Sequence, residues 1–116
     1  MIAVIFELWP ADGKSVEYFD LAASLRDDLV NIDGFISIER FESVTTKGKY
    51  LSLSFWRDEE AVSSWRNHAR HRQSQAMGRS GVLADYRLRV ASVMRNYGMQ
   101  ERGDAPKDSR EVHGSG

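Results

Sequence analysis

The opening strand constrains the fold of this chain more than any other stretch. Ile2 to Trp9 is apolar on both of its alternating sets: Ile2, Val4, Phe6 and Leu8 on one, Ala3, Ile5 and Trp9 on the other, with Glu7 the lone charge. A strand of this kind belongs in a sheet covered on both faces. Pro10 and the turn Ala11-Asp12-Gly13 end it.

The rest of the chain supplies cover for one face only. Lys14 to Asn31 has helical spacing, with Tyr18, Ala22, Leu25 and Leu29 on one stripe and Leu21 beside them. Gly34 lets the chain turn back. Phe35 to Glu42 alternates, with Ile36 and Ile38 expected on one face and Phe35, Ser37, Glu39 and Phe41 on the other. Thr45-Thr46-Lys47-Gly48-Lys49 reads as a hairpin loop. Tyr50 to Arg57 is a third strand, with Leu51, Leu53 and Phe55 opposite Tyr50, Ser52, Ser54 and Trp56. Asp58 reads as an N-cap, with Glu59 and Glu60 in the first turn of a helix predicted over 58–77. Gly78 and Gly81 break that helix, and a last strand is expected over 86–97.

The order βαββαβ implies an α+β, ferredoxin-like fold: a four-stranded antiparallel sheet with two helices on one face. The uncovered face is expected to carry Trp9 or Phe6, with Phe35, Phe41, Tyr50 and Trp56. That set is too large an apolar patch to leave in water. A second copy, sheet against sheet, would cover it, so burial alone predicts a homodimer. Residues 1–99 form the domain. Residues 100–116 are polar and end in His-Gly-Ser-Gly, a tail or an arm over a partner.

The 116 residues suit a single core, and the absence of cysteine excludes a disulfide scaffold, a thiolate metal site and a cysteine nucleophile. No apolar run is long enough to span a bilayer and no leader is recognisable, so the expectation is a cytoplasmic protein without membrane contact. Charge is divided: residues 1–60 carry six Lys/Arg against twelve Asp/Glu, and residues 61–100 carry seven Arg against Asp85. The two halves either neutralise each other or leave an anion site in the second. Nucleic acid is not an expected partner, because the arginines are not interleaved with aromatics and the overall charge is −1.

The stretch Gly34-Phe35-Ile36-Ser37-Ile38-Glu39, a hairpin, Leu51-Ser52-Leu53-Ser54-Phe55-Trp56-Arg57-Asp58-Glu59-Glu60-Ala61-Val62, then Trp65 and His71, resembles the antibiotic biosynthesis monooxygenase domain. The resemblance covers about residues 2–97. It implies a dimeric α+β barrel, and a cofactor-independent monooxygenase acting on a small aromatic or polyphenolic compound. A haem-binding or haem-degrading protein of the same superfamily and a non-catalytic small-molecule-binding dimer are the alternatives. Haem degraders of this superfamily share a helix-two tryptophan, here Trp65. Their iron-binding histidine falls at Gln75 and their first-strand asparagine at Phe6 or Glu7.

On the second helix, at about 100° per residue, Ala61, Ala69 and Arg72 lie within about 40° of Trp65, Val62 and His68 within about 60°, and His71 about 120° away. Small residues flanking one indole leave room for a cavity, or Trp65 simply fills the core. The candidate catalytic residues are His71, His68 and Trp65, with either histidine taking a phenolic proton. Arg72, Trp56 and Ser54 are the candidate substrate-binding residues, Arg72 by stabilising an oxyanion. No dinucleotide glycine fingerprint is present, His68 and His71 lack a carboxylate to complete a metal site, and no bound cofactor or metal is expected.

Overall fold

The structure is a computed structural model that describes residues 1–68 and 81–108. The elements are β1 (Ile2–Pro10), α1 (Ser15–Leu29), β2 (Phe35–Glu42), β3 (Tyr50–Trp56), a second helix α2 described over 59–68, and β4 (Leu83–Ser92). The strands form one antiparallel sheet in the order β2-β3-β1-β4. This is the ferredoxin-like arrangement that the sequence predicts.

Each element has a local cause. The buried residues of α1 are Tyr18, Ala22, Leu25 and Leu29, the stripe set by helical spacing. Gly34 follows with φ of 91°, and its carbonyl accepts from the Arg57 amide at 2.7 Å. A Cβ there would lie 2.7 Å from the Ala61 Cβ, so this approach of β2 to α2 requires glycine. In the β2–β3 loop the Ser43 hydroxyl accepts from the Thr46 amide and Gly48 takes φ of 79°. Asp58 caps α2: its Oδ1 accepts from the Ala61 amide at 2.9 Å, which with the neighbouring Arg57 holds its carboxyl below the usual range.

Two expectations about the sheet are corrected. The last strand begins at Leu83 and ends at Ser92, because its antiparallel partner runs from Pro10 back to Ile2. Beyond Ser92 only the Val93 amide finds β1, at the Met1 carbonyl. The second correction concerns which side faces the helices. Tyr50, Trp56, Phe6 and Phe35 lie in or against the helix-side core, with Trp56 only 1% exposed. The open face instead carries Ile5, Trp9, Leu51, Leu53, Phe55 and Phe41, which belong to neither core cluster. A register shift between Phe35 and Ser37 brings Phe35 to the side of Ile38 and leaves Ile36 half exposed, so Ile36 and Ile38 do not share a face.

The helix-side core has two parts. One joins Leu8, Tyr18, Ala22 and Val82; the other joins Leu29, Trp56 and Ala61, with Trp65, Val62 and Phe35 against it. On the open face Glu7 bonds both Lys49, at 2.6 Å, and Arg89. These two cations hold its carboxyl below the usual range, Lys49 contributing more. The Glu7–Arg89 pair joins the acidic first half to the basic second half. The described part of the C-terminal segment folds back on itself: the Gly98 amide bonds the Glu101 carbonyl at 2.7 Å, Arg102 lies over the Tyr97 ring, and Ala105 is buried. Among the described residues no helix is long and apolar enough to cross a membrane.

Candidate functional site

Between the sheet and the two helices lies a cavity of about 420 Å³. Its floor follows from strand register. One row across the sheet runs Arg40–Ser52–Phe6–Leu88, and the next runs Ile38–Ser54–Val4–Val90. All eight side chains line the cavity, because alternate residues of neighbouring strands share one face. The roof comes from Ala22, Leu25 and Leu29 of α1 and from Val62, Trp65 and Arg66 of α2. Tyr86 and Leu88 of β4 are more than half exposed and flank its open side.

The cavity exists because β3 places serines where a packed core would have large apolar residues. Ser52 and Ser54 are 8% and 6% exposed. The Trp56 indole nitrogen donates to Ser54 Oγ at 2.9 Å, which fixes that ring, and Phe35 meets it edge-on at 5.3 Å. Ser54 accepts that bond, so its own proton is left for another acceptor.

The predicted site residues separate into three groups. Trp65, Trp56 and Ser54 all line the cavity and are brought together there. His68 does not line it. Its ring stacks on Trp65 at 5.9 Å, while Nε2 turns outward to Asp28 of α1, 4.0 Å away. Its position, about 60° from Trp65 around the helix, is enough to carry the imidazole past the rim. His71 and Arg72, with Gln75 and Ala69, lie outside the described residues. Among the described residues the cavity wall holds no histidine or carboxylate, and no cluster of three metal-ligating side chains occurs. The described wall therefore offers no imidazole that could hold a haem iron.

Arg40 and Arg66 line the cavity and were not among the expected site residues. Arg66 reaches Ser63 at 3.3 Å. Arg40 was legible in principle: it falls on the same alternating phase as Ile38, a cation on the buried side of β2. Its Nε is shut off from solvent and has no hydrogen-bond partner among the described residues.

Residues 1–77 match the family described as antibiotic biosynthesis monooxygenase. The chain is 50% identical over 93 residues to a protein of Pyricularia oryzae named jasmonate monooxygenase ABM, a match that takes in 80% of this chain and 43% of the relative. It thus spans less than half the length of that protein. It is 32% identical over 99 residues to YqjZ of Bacillus subtilis, an uncharacterised protein, covering 85% of this chain and 84% of the other. Among solved structures, the haem degrader MhuD of Mycobacterium tuberculosis, with two haems bound in its active site, is similar in fold. The TM-score is 0.66 at 18% identity, over 84% of this chain and all of that one. On the family match and on the identity to these two relatives, the chain belongs to the antibiotic biosynthesis monooxygenase family.

Proposed function

We propose that this chain is a cofactor-independent monooxygenase that oxidises a small, electron-rich aromatic compound held between the sheet and the helices, and that it works as a homodimer. The cavity carries the reading: about 420 Å³ of largely apolar space with two tryptophans and a few convergent polar groups, in a chain of this family. The relative named as a jasmonate monooxygenase supports oxygenation as the reaction type. Its name also extends the substrate range beyond aromatics to other small organic molecules.

In the reaction proposed here, a phenol loses its proton and the electron-rich phenolate reduces dioxygen. The ring carbon para to the hydroxyl exchanges its C–H for a C=O. One oxygen atom enters the quinone and the other leaves as water, the substrate supplying all four electrons. Trp65 and Trp56 wall the ring, and Ser54 offers it a hydroxyl proton. His71 is the base and Arg72 the oxyanion partner on this proposal. His68, its Nε2 4.0 Å from Asp28 and its ring stacked on Trp65, is assigned the lesser role of backing Trp65.

The second copy would cover Ile5, Leu51, Leu53 and Phe55. An oxygen electrode tests the activity: phenolic compounds that stabilise the protein in a thermal-shift screen should drive oxygen uptake that survives chelator and needs no added flavin. Binding without uptake would leave a small-molecule-binding dimer and refute the enzyme. The haem reading is tested by haemin titration; a shifted Soret band abolished by His71→Ala would replace the present proposal.

A further inference from the structure

We propose that Arg40 is an anion-binding group built into the cavity, and that the molecule it selects is an amphipathic carboxylate, with an apolar body on the Val4–Phe6–Leu88 floor and its carboxylate on the Arg40 guanidinium. This rests on the reading of the cavity as a substrate chamber and narrows it to a class of substrate.

Four observations converge. Arg40 lines the cavity, yet its Nε is sealed from solvent and finds no acceptor among the described residues. Two more exposed arginines are paired with carboxylates: Arg57, 55% exposed, holds Asp33 through both terminal nitrogens and Asp58 through Nε, and Arg89, 54% exposed, holds Glu7 through one terminal nitrogen. Charge pairing is thus found where water already screens it, while the half-buried Arg40 at the cavity has an Nε without a partner among the described residues. Second, no carboxylate among the described residues lines the cavity, which leaves a place for a ligand's counter-charge. Third, Ser52 stands directly opposite Arg40 in the β2–β3 register and is buried. Fourth, Ser54, two residues along the same strand, retains a donatable proton after accepting from Trp56.

Chemistry selects the anion. A guanidinium cannot discharge itself by losing a proton, so a buried one needs a partner that is ionised whenever the ligand is present. A carboxyl group, with an ordinary pKa near 4, meets that condition at neutral pH; a phenol, near 10, does not. A carboxylate also matches the planar fork of the two terminal nitrogens with two parallel bonds. An aromatic acid satisfies both this end and the apolar floor.

The test uses the full chain, and calorimetric titration with a series of ω-phenylalkanoates, from phenylacetate to 5-phenylpentanoate, and with the primary amide of each. Wild type should bind the best acid roughly tenfold or more tightly than its amide, the range expected for a buried charge-assisted pair. Arg40→Met should erase that preference and leave amide affinity unchanged. Arg40→Met should also melt no lower than wild type without ligand, because it removes an unpaired buried donor. Arg40→Lys should retain charge preference and lose part of the affinity. A structural arginine behaves otherwise: Arg40→Met would lower the melting temperature and weaken acid and amide alike, which overturns the proposal. Amides binding as tightly as acids overturn the carboxylate inference alone. If neither acids nor amides bind, the substrate-chamber reading falls with it.

Discussion

Replacing Ser54 by alanine removes one oxygen atom from the sheet and should destabilise the protein out of proportion to its size. Ser54 Oγ is the acceptor for the Trp56 indole N–H at 2.9 Å. Both residues are buried, at 6% and 1% exposed. Without the hydroxyl, the indole N–H stays in an apolar pocket formed with Phe35 and Leu29, and a donor left unsatisfied there costs about 1–3 kcal/mol. Trp56→Phe removes the donor instead and forfeits the packing of the second ring. In the double variant nothing is left unsatisfied, so the two costs should not add, and a coupling of about 1 kcal/mol is expected. Urea unfolding at one fixed protein concentration measures all four corners, the concentration being held because a dimer's midpoint depends on it. If Ser54→Ala leaves the midpoint unchanged, or if the cycle is additive, solvent reaches the indole nitrogen. The reading that Ser54 satisfies a buried indole donor would then be wrong.

Gly34→Ala should destabilise by upward of about 1–2 kcal/mol from the left-handed backbone alone, with the 2.7 Å approach to Ala61 Cβ adding to it, measured by thermal unfolding. Leu53→Arg on the open sheet face should convert the proposed dimer to monomers in sedimentation equilibrium while leaving the helix-side cavity intact. A wild type that sediments as a folded monomer at micromolar concentration would remove the dimer. In acid, Glu7, Asp33 and Asp58 act together: cations and the Ala61 amide hold their folded-state pKa values below the ordinary 4.5 and 3.8. The unfolded chain therefore binds more protons. Their contribution is complete above those ordinary values and is lost as pH falls through the depressed ones. The melting temperature should drop below about pH 4, less steeply at high salt because the Asp33 and Asp58 side chains are open to solvent, and Glu7→Gln should flatten the profile.

The strands and helices were legible because each carries its own period. α1 shows it best, since four positions at helical spacing are the four that are buried. The placement of the site was partly legible: Trp65 and Trp56 could be recognised as large aromatics on the right elements. What escaped was side, not element. Alternation in Tyr50 to Trp56 defines two faces without saying which meets the helices, and size argues for the wrong one. Leu51, Leu53 and Phe55 look like the core set, yet Tyr50, Ser52, Ser54 and Trp56 lie beneath the helices. Arg40 shares the phase of Ile38, the side of β2 expected under the helices, and a cation at that phase was the signal available in the sequence. The Phe35–Ser37 register shift was invisible because nothing in Gly-Phe-Ile-Ser-Ile marks a bulge. For His68, helical angle sets which side of the axis the residue leaves from but not where its ring points: it stacks on Trp65 with Nε2 4.0 Å from Asp28.

That inversion of β3 bears on function. A strand under its helices ordinarily turns its largest apolar side chains toward them, because that burial supplies most of the stabilisation of a small domain. Here the two serines face the helices and the leucines and Phe55 face away. For an isolated subunit this wastes apolar area on the solvent side and leaves space on the core side, two losses at once. In a sheet-to-sheet dimer both losses disappear. The large side chains become the packed interface that holds the protein together, and the helix side is released from that duty. It can then keep about 420 Å³ open, with hydroxyls on its floor and an arginine whose Nε has no partner among the described residues. The prediction that follows is an asymmetry between the faces. Leu53→Ala should cost stability and dimer affinity with little effect on ligand binding. Ser52→Leu, which fills the floor beside Arg40, should raise stability toward that of a packed core while weakening carboxylate binding at least roughly tenfold, the scale of one lost charge-assisted contact. If the two substitutions exchanged these effects, the sheet would be serving its faces in the opposite sense, and both the chamber and the interface would have to be reassigned.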